Sequence, residues 1–219
     1  MDAKVSSSSL ERLLRDRGVC ESGAMDAFRT YLFLLERWNE RINITASTDW
    51  EGVGPLFEEA IWAAEFYPVG ESIHLDIGSG GGFPAVPIRI LRPRMRLTLV
   101  ESRIKRCVFL QTVVHELGLK GTAVENQRVD SFLEGAGQAG LWQIVSWKAV
   151  KLGRREIGLL LERSREDAQF WVFHGKELPV TDLMGWEKST KLIRRETCPS
   201  RPGSFLSIFE KSRRRSRGA

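Results

Sequence analysis

The 219-residue chain has little cysteine, no long apolar run and no clustered histidine. Cys20, Cys107 and Cys198 are odd in number and far apart, which suits a reducing cytoplasm and argues against a disulfide framework or a zinc cluster. No apolar stretch approaches the roughly 20 residues that a transmembrane helix needs. We therefore expect a cytoplasmic protein that contains no metal and does not bind a membrane.

Positive charge is abundant, but it is concentrated at one end. The formal net charge is +5, and five cations without an intervening acid close the chain: Lys211, Arg213, Arg214, Arg215 and Arg217. The other 28 basic residues match the 28 acidic ones, so the remaining chain is formally neutral. Affinity for RNA must then come from local patches and from this tail. The tail is interpreted either as a disordered, solvated end or as an arm that contacts RNA.

Up to about residue 70 the apolar spacing is helical, and after it the predicted strands alternate with helices. Apolar spacing predicts helices at 10–17, 25–42 and 55–66, the last opened by Pro55. Strands are predicted at 73–77, 96–101, 122–125, 143–147, 168–174, 190–196 and 204–210, with helices at 84–91, 104–117 and within 154–165. This order predicts an α/β, Rossmann-like fold with a mostly parallel seven-stranded sheet, a terminal antiparallel hairpin and an N-terminal helical extension. The expected divisions are 1–70, 71–211 and a basic disordered tail at 212–219.

The segment Leu75–Pro84 is typical of a cofactor loop, since an apolar strand ends in Asp76 and is followed by five small residues. A dinucleotide fingerprint needs a third glycine where this chain has Phe83. Asp76, two residues before Gly78, would repel a pyrophosphate but attract a cation. S-adenosylmethionine carries a sulfonium and an amino group, so Asp76, Gly78 and Gly80 favour that cofactor. A Walker loop is excluded because no Gly-Lys-Ser/Thr follows.

Other candidate residues follow the next strands, where ligands bind in such sheets. Glu101 ends the second strand and could accept hydrogen bonds from ribose hydroxyls. Asp130 could accept from an adenine amino group while Val129 packs on the ring, although an Asp in a loop is commonly a turn or cap residue. Lys148 follows the fourth strand and is either a group that faces the substrate or a solvated lysine.

Two motifs that the sequence lacks limit the chemical class of the methyl acceptor. No Asn/Asp-Pro-Pro-aromatic motif, used for amino-group methylation, follows the fourth strand, where the chain reads Ser146–Val150. Carbon methylation of a pyrimidine needs a cysteine nucleophile, and no cysteine is expected near either loop. The pattern suits an acceptor that is already nucleophilic, such as guanine N7, for which positioning and charge supply most of the catalysis. The catalytic residues cannot be assigned from the sequence.

Four segments together resemble the family of bacterial 16S rRNA guanine-N7 methyltransferases called methyltransferase G or glucose-inhibited division protein B. They are Trp38–Thr45, Asp76–Ile88, Glu101–Leu110 and Phe205–Lys211. The resemblance implies a class I S-adenosylmethionine-dependent methyltransferase fold, S-adenosyl-L-methionine as cofactor, and 16S rRNA or the small ribosomal subunit as substrate. We expect a monomer.

The resemblance also implies site residues: Gly78 and Phe83 line the cofactor pocket, Val129 and Asp130 hold the adenine, and Lys148 stands where the family has arginine. The chain departs from the family at 57–64, which lacks the usual His-Asp pair. We expect Lys148, Lys151 and nearby arginines to face RNA, namely Arg89, Arg92, Arg103 and Arg106. Two alternatives stay open: an S-adenosylmethionine-binding RNA-interaction protein with little catalysis, and a small-molecule methyltransferase.

Overall fold

The structure, a computed structural model, describes residues 3–135, 140–180 and 183–212. Its helices are α1 Ala3–Asp16, α2 Ser22–Asn39, α3 Trp50–Ala64, α4 Ala85–Leu91, α5 Ile104–Glu116, α6 Val129–Gly135, α7 Arg154–Arg163 and α8 Leu183–Ser189. Its strands are β1 Ser72–Ile77, β2 Met95–Val100, β3 Thr122–Glu125, β4 Trp142–Lys148, β5 Ser164–His174, β6 Thr190–Thr197 and β7 Phe205–Lys211.

The seven strands form one sheet in the order β3-β2-β1-β4-β5-β7-β6. The pairs among β1 to β5 are parallel, whereas β7 is antiparallel to both β5 and β6. The predicted fold class, with its terminal hairpin, is therefore confirmed. The chain runs outward from β1 to β3 and then returns to place β4 on the other side of β1. Loops after β1 and β4 thus meet at a topological switch point, where open α/β sheets bind ligands.

Two apolar cores lie on opposite faces of this sheet. One contains residues of α1 to α5, and the other contains residues of α6, α7 and α8. Buried side chains of the N-terminal helices, such as Phe28 and Phe57, belong to the same core as Leu97 and Leu99 on β2. The N-terminal helices therefore cover one face of the sheet and share its core.

Several boundaries of the N-terminal helices differ from the prediction. Helix α1 begins at Ala3 instead of residue 10, and α2 begins at Ser22 instead of residue 25. Helix α3 begins at Trp50, so Pro55 lies inside it instead of opening it. The start is set by Asp49, an N-cap residue whose carboxylate accepts the Gly52 N–H at 2.8 Å. Helix α2 ends at Asn39 and does not reach residue 42.

Two short helices were missed. Helices α6 and α8 have seven residues each, too few for a clear helical period, and neither is the proline-led apolar run that marked the equally short α4. Helix α6 starts at Val129, which was predicted to lie in a loop, and α8 leads directly into β6. The predicted tail lies outside the described residues except for Ser212. No helix in the described ranges is long and apolar enough to span a membrane. Within the same ranges, no group of three His, Cys, Asp or Glu residues is arranged to hold a metal ion.

Candidate cofactor cleft

A cleft of about 510 Å³ opens at the switch point, within the ~300–1,000 Å³ range of small-molecule sites. Its walls come from the glycine loop after β1, the end of β2, the start of α6, the loop after β4 and the loop before α3. Six of the eight predicted site residues line it: Gly78, Gly80, Phe83, Glu101, Val129 and Lys148. Asp76 and Asp130 do not line it.

The glycine loop is shaped by its own hydrogen bonds. The amides of Gly78 and Ser79 donate to the Val100 carbonyl at 2.8 and 3.1 Å, and the Gly80 amide donates to Glu101 Oε2 at 2.9 Å. Gly78 has φ +67°, and a Cβ there would lie 2.3 Å from Val150 Cγ2. These amides already have protein acceptors, so they are not available to cradle a pyrophosphate. The loop therefore suits a cofactor without phosphate.

Asp76 lies beneath the loop and is only 2 % exposed. Its Oδ1 accepts the Ser146 hydroxyl at 2.5 Å, and that hydroxyl is 2.8 Å from Nε2 of the buried His74. The predicted contact of this carboxylate with the cofactor stays a prediction, and the structure does not place the side chain in the wall of the cleft. On β1, alternate side chains face opposite sides of the sheet, and the Asp76 side chain meets Ser146 of β4 rather than the cleft.

The pKa of Asp76 is raised to about 7. Burial is the largest cause and the nearby Glu101 acts in the same direction, while hydrogen bonds from Ser146 and Ser79 and the charge of Lys148 oppose the shift. The same burial lowers the pKa of His74 to about 3, so this imidazole is neutral. The Asp76 carboxyl can therefore change its charge near neutral pH.

Glu101 follows β2 and is placed as predicted. It is 5 % exposed, and besides the Gly80 amide it accepts the Arg103 amide at 2.8 Å through Oε1. The carboxylate thus fixes the glycine loop against the turn that begins α5. Each carboxylate oxygen has a second lone pair, so Glu101 can still accept from a diol.

Val129 and Asp130 begin α6, but only one of the two residues lines the cleft. Val129 lines the cleft and offers an apolar wall. The Asp130 carboxylate instead accepts the Ser131 amide at 2.9 Å and lies 3.6 Å from the Arg128 guanidinium. Asp130 occupies the first turn of α6, where a carboxylate stabilises the N-terminus of a helix.

The loop before α3 is a wall of the cleft that was missed, although its residues stand in a motif noted in the sequence. The side chain of Asn39, at the end of α2, accepts the amides of Ile44 and Thr45 at 2.8 and 2.9 Å. Ile44, Thr45 and Ala46 line the cleft, and the Tyr31 hydroxyl donates to the Gly81 carbonyl at 2.5 Å. The N-terminal helices therefore help to shape the cleft.

Replacing Asn39 with alanine should lower the free energy of unfolding by about 1–3 kcal/mol, because two partly buried amides lose their acceptor. It should also weaken cofactor binding, since the freed loop is a wall of the cleft. Chemical denaturation and calorimetric titration measure the two effects. The exposed neighbour Glu40→Ala is the matched control and should change neither. Unaltered binding by Asn39→Ala would show that this loop does not contact the cofactor.

Lys148 lies at the far end of the cleft in a cluster of three charged side chains, of which only Glu59 is buried. Its Nζ donates to Glu59 Oε1 at 2.5 Å, and Arg201 lies 3.5 Å from Glu59 Oε2. Burial lowers the pKa of Lys148, whereas the Glu59 carboxylate acts in the opposite direction. Glu59 and Arg201 were not identified from the sequence.

The predicted RNA-facing arginines divide into two pairs. Arg103 and Arg106 line the cleft, and Arg106 donates to the Asn43 carbonyl at 3.1 Å. Arg89 is 5 % exposed and donates to the Lys120 carbonyl, and Arg92 donates to the Ala64 carbonyl. The prediction is therefore wrong for Arg89 and Arg92. Helix α4 starts at the cleft, so its C-terminal residues point away from it.

A seven-stranded sheet of this order, with a glycine loop after β1 and an acid after β2, defines a Rossmann-like class I methyltransferase. Solved structures share this fold: a SAM-dependent methyltransferase from Aquifex aeolicus matches with a TM-score of 0.53 and 12 % identity over 72 % of this chain and 91 % of the other. The mitomycin 7-O-methyltransferase MmcR matches with a TM-score of 0.58 and 12 % identity over 97 % and 74 %.

The sequence comparisons specify the family. The family model described as rRNA small subunit methyltransferase G matches residues 24–179. A ribosomal RNA small subunit methyltransferase G from Geobacillus thermodenitrificans is 31 % identical over 210 residues, 94 % of this chain and 87 % of that protein. One from Halalkalibacterium halodurans is 38 % identical over 142 residues, covering 63 % and 59 %. The chain belongs to the rRNA small subunit methyltransferase G family and is an S-adenosylmethionine-dependent enzyme.

Proposed function

We propose that the enzyme transfers a methyl group from S-adenosylmethionine to N7 of a guanine in small-subunit rRNA. The names of the relatives support the rRNA substrate. The observation that carries the proposal is the cleft at the switch point, which ends beside the Glu59–Lys148–Arg201 cluster. The cofactor and the methyl acceptor can then meet at this charged end of the cleft.

We propose that the cofactor lies along the cleft with its ribose on Glu101 and its adenine against Val129. Gly78, Gly80 and Phe83 would form the floor, and Lys148 would lie beyond the methionine end. Asp76 would act through its charge from beneath the loop, and Asp130 by shaping the start of α6. The cofactor supplies an activated methyl group, while these residues hold and orient it.

We also propose that residues 1–70 form a helical extension of a methyltransferase domain at 71–211, and that the enzyme acts as a cytoplasmic monomer. The shared core described above supports a helical extension that folds together with the domain. Arg103 and Arg106, at the cleft, are the basic residues best placed to contact an RNA phosphate.

Transfer to RNA can be tested with methyl-labelled S-adenosylmethionine and hypomethylated small subunits. We expect label in 16S rRNA, at a guanosine that becomes sensitive to reduction and aniline cleavage, the chemistry of N7-methylguanosine. Label in a small metabolite, or cofactor binding without transfer to rRNA, would contradict the proposal. Small subunits that already carry the methyl group are the control and should accept no label.

One cysteine requires a separate test. The expectation that no cysteine lies near the loops is wrong, because Cys198, in the β6–β7 turn, lines a second cavity that also contains Lys148. A nucleophilic cysteine is needed for methylation of a pyrimidine carbon but not of guanine N7.

Cys198→Ala should therefore leave the rate of methyl transfer essentially unchanged, as measured by single-turnover incorporation of label. Cys107→Ala, at a buried cysteine that lines neither cavity, is the matched control for the loss of a buried thiol. Loss of transfer in Cys198→Ala alone, with a normal thermal melt, would indicate covalent catalysis and contradict the proposed acceptor atom.

A further inference from the structure

A second cavity adjoins the cofactor cleft and is a candidate for the acceptor site. It has a volume of about 210 Å³ and shares Lys148, Ala149 and Arg201 with the cleft. This volume lies below the ~300 Å³ at which sites for drug-sized ligands begin, so it suits a single flat ring system better than a whole nucleotide. A base that is turned out of an RNA chain could enter here while its backbone stays outside.

The cavity contains a buried carboxylate with spare acceptor capacity. Glu59 is 3 % exposed and lines the cavity, with Lys148 on Oε1 and Arg201 on Oε2. A carboxylate has about four lone-pair sites, so these two cations leave acceptor sites unused. A buried carboxylate is costly unless it is well paired, and this one borders a cavity. This arrangement favours a ligand that donates hydrogen bonds.

Aromatic rings border the same cavity. Phe205 and His174 both line it, with their ring centroids 5.7 Å apart. The His174 ring is held by two contacts, because Nδ1 donates to the Gly175 carbonyl at 2.7 Å and Nε2 accepts the Ser207 hydroxyl at 2.9 Å. With both nitrogens engaged, this side chain offers a fixed ring face rather than a proton donor. The Arg195 guanidinium lies over the Phe205 ring, 4.4 Å from its centroid, so the two rings contribute a flat aromatic wall to the cavity and not a free stacking face.

We propose that the second cavity holds the acceptor guanine and that Glu59 recognises its Watson–Crick edge. This inference rests on the proposed function. Guanine presents two donors on that edge, N1–H and the N2 amino group, and a carboxylate can accept from both. Adenine presents a lone pair at N1 instead, so the same carboxylate repels it. Glu59 is thus a specificity-determining residue.

The same contact favours the reaction. N7 lies on the opposite side of the purine from Glu59, toward the cofactor cleft. The N7 lone pair forms the new N–C bond while the C–S bond breaks, and its electron pair stays on sulfur. Positive charge moves from the sulfonium to the purine, and no proton is lost. A carboxylate on the N1–H and N2–H edge stabilises the cationic purine that forms.

The test compares guanosine with inosine, which lacks only the N2 amino group. Small subunits are reconstituted with rRNA that carries either nucleoside at the mapped position, and the two compete for the wild-type enzyme. One lost hydrogen bond to a charged acceptor should favour guanosine by about ten- to a hundredfold in kcat/KM. In Glu59→Gln this preference should fall several-fold or more, because the neutral amide accepts at only one atom. A wild-type ratio near one overturns the inference without any variant.

Glu58→Gln is the matched control. It removes the neighbouring carboxylate, which is paired with Arg17 at 2.9 Å and does not line the cavity, and it should keep the full guanosine preference. A second measurement is binding: with S-adenosylhomocysteine in the cleft, wild type should bind the guanosine RNA more tightly than the inosine RNA, and Glu59→Gln should lose that difference. If Glu59→Gln keeps the wild-type preference, whatever its absolute rate, Glu59 only holds Lys148 and the inference is wrong.

The outcomes separate the inference from the function on which it rests. If wild type methylates N7 of the guanosine but shows no discrimination against inosine, the inference alone fails. If wild type binds the cofactor but methylates no guanosine in the rRNA, the proposed function fails as well. Calorimetric titration of the cofactor into Glu59→Gln measures any change at the cofactor site separately, because Glu59 does not line the cofactor cleft but pairs with Lys148, which does. The guanosine preference is therefore compared at saturating cofactor.

Discussion

Replacing Glu101 with alanine is expected to weaken S-adenosylmethionine binding by at least about a hundredfold. Hydrogen bonds to a charged group are worth about 1.5–3 kcal/mol each, and a ribose diol can make two of them to this carboxylate. The side chain also accepts the amides of Gly80 and Arg103, so its removal releases the glycine loop. Calorimetric titration with S-adenosylmethionine measures the loss.

Glu125→Ala is the matched control for this prediction. Glu125 ends β3, pairs in register with Val100 at the end of β2, and does not line the cleft. The Glu125→Ala variant should bind the cofactor with wild-type affinity. Glu101→Gln should lie between the two, because an amide oxygen still accepts but carries no charge. Wild-type affinity in Glu101→Ala would contradict the placement of the cofactor along this cleft.

Asp76→Asn is expected to raise stability at pH 8 by up to about 4 kcal/mol relative to wild type, while it changes stability little at pH 4. The pKa of Asp76 is raised from 3.8 to about 7 in the folded protein. Between these two values the folded state keeps a proton that the unfolded state has released. Wild-type stability therefore falls as pH rises from about 4 to 7 and is constant above that window.

Asparagine does not titrate and retains an oxygen for the Ser146 hydroxyl, so the variant avoids this loss. Chemical denaturation at pH 5 and pH 8 measures the difference, and measurements at pH 8 and pH 9 are the internal control, since no change is expected between them. A stability difference that is independent of pH would show that the buried carboxyl has an ordinary pKa.

The same carboxyl should link cofactor affinity to pH. The ionised form of Asp76 lies beneath a loop that we propose binds a cation, so wild-type affinity for S-adenosylmethionine should rise between pH 6 and 8. Asp76→Asn should lack this rise. This pair of results would show that Asp76 contributes its charge from beneath the loop and does not need to contact the cofactor.

The sheet and its cofactor edge could be predicted because their signals are local. Each strand is a short apolar run between turn residues, and the glycine loop lies within one segment, Leu75–Pro84. The position of Glu101 could be predicted for the same reason, since a side chain at the end of β2 must lie beside the loop that follows β1. The direction of a side chain on a strand is harder to predict. Asp76 was expected in the cleft, yet it pairs with Ser146 on the neighbouring strand.

Contacts between distant segments could not be predicted. Glu59 and Lys148 are 89 positions apart, and Glu59 and Arg201 are 142 apart, so no spacing rule joins them. The absence of a His-Asp pair at 57–64 left open the alternative of a cofactor-binding protein with little catalysis. The structure places a buried carboxylate from that segment beside Lys148.

The most direct test of the whole arrangement is a crystal structure with S-adenosylhomocysteine. We predict the ribose hydroxyls on the Glu101 carboxylate, the adenine against Val129, and the sulfur directed toward Lys148 and the second cavity. That orientation would present the methyl group of the intact cofactor to a guanine held by Glu59. A ligand bound with its adenine beside Lys148, or in another part of the protein, would contradict this account of the cleft.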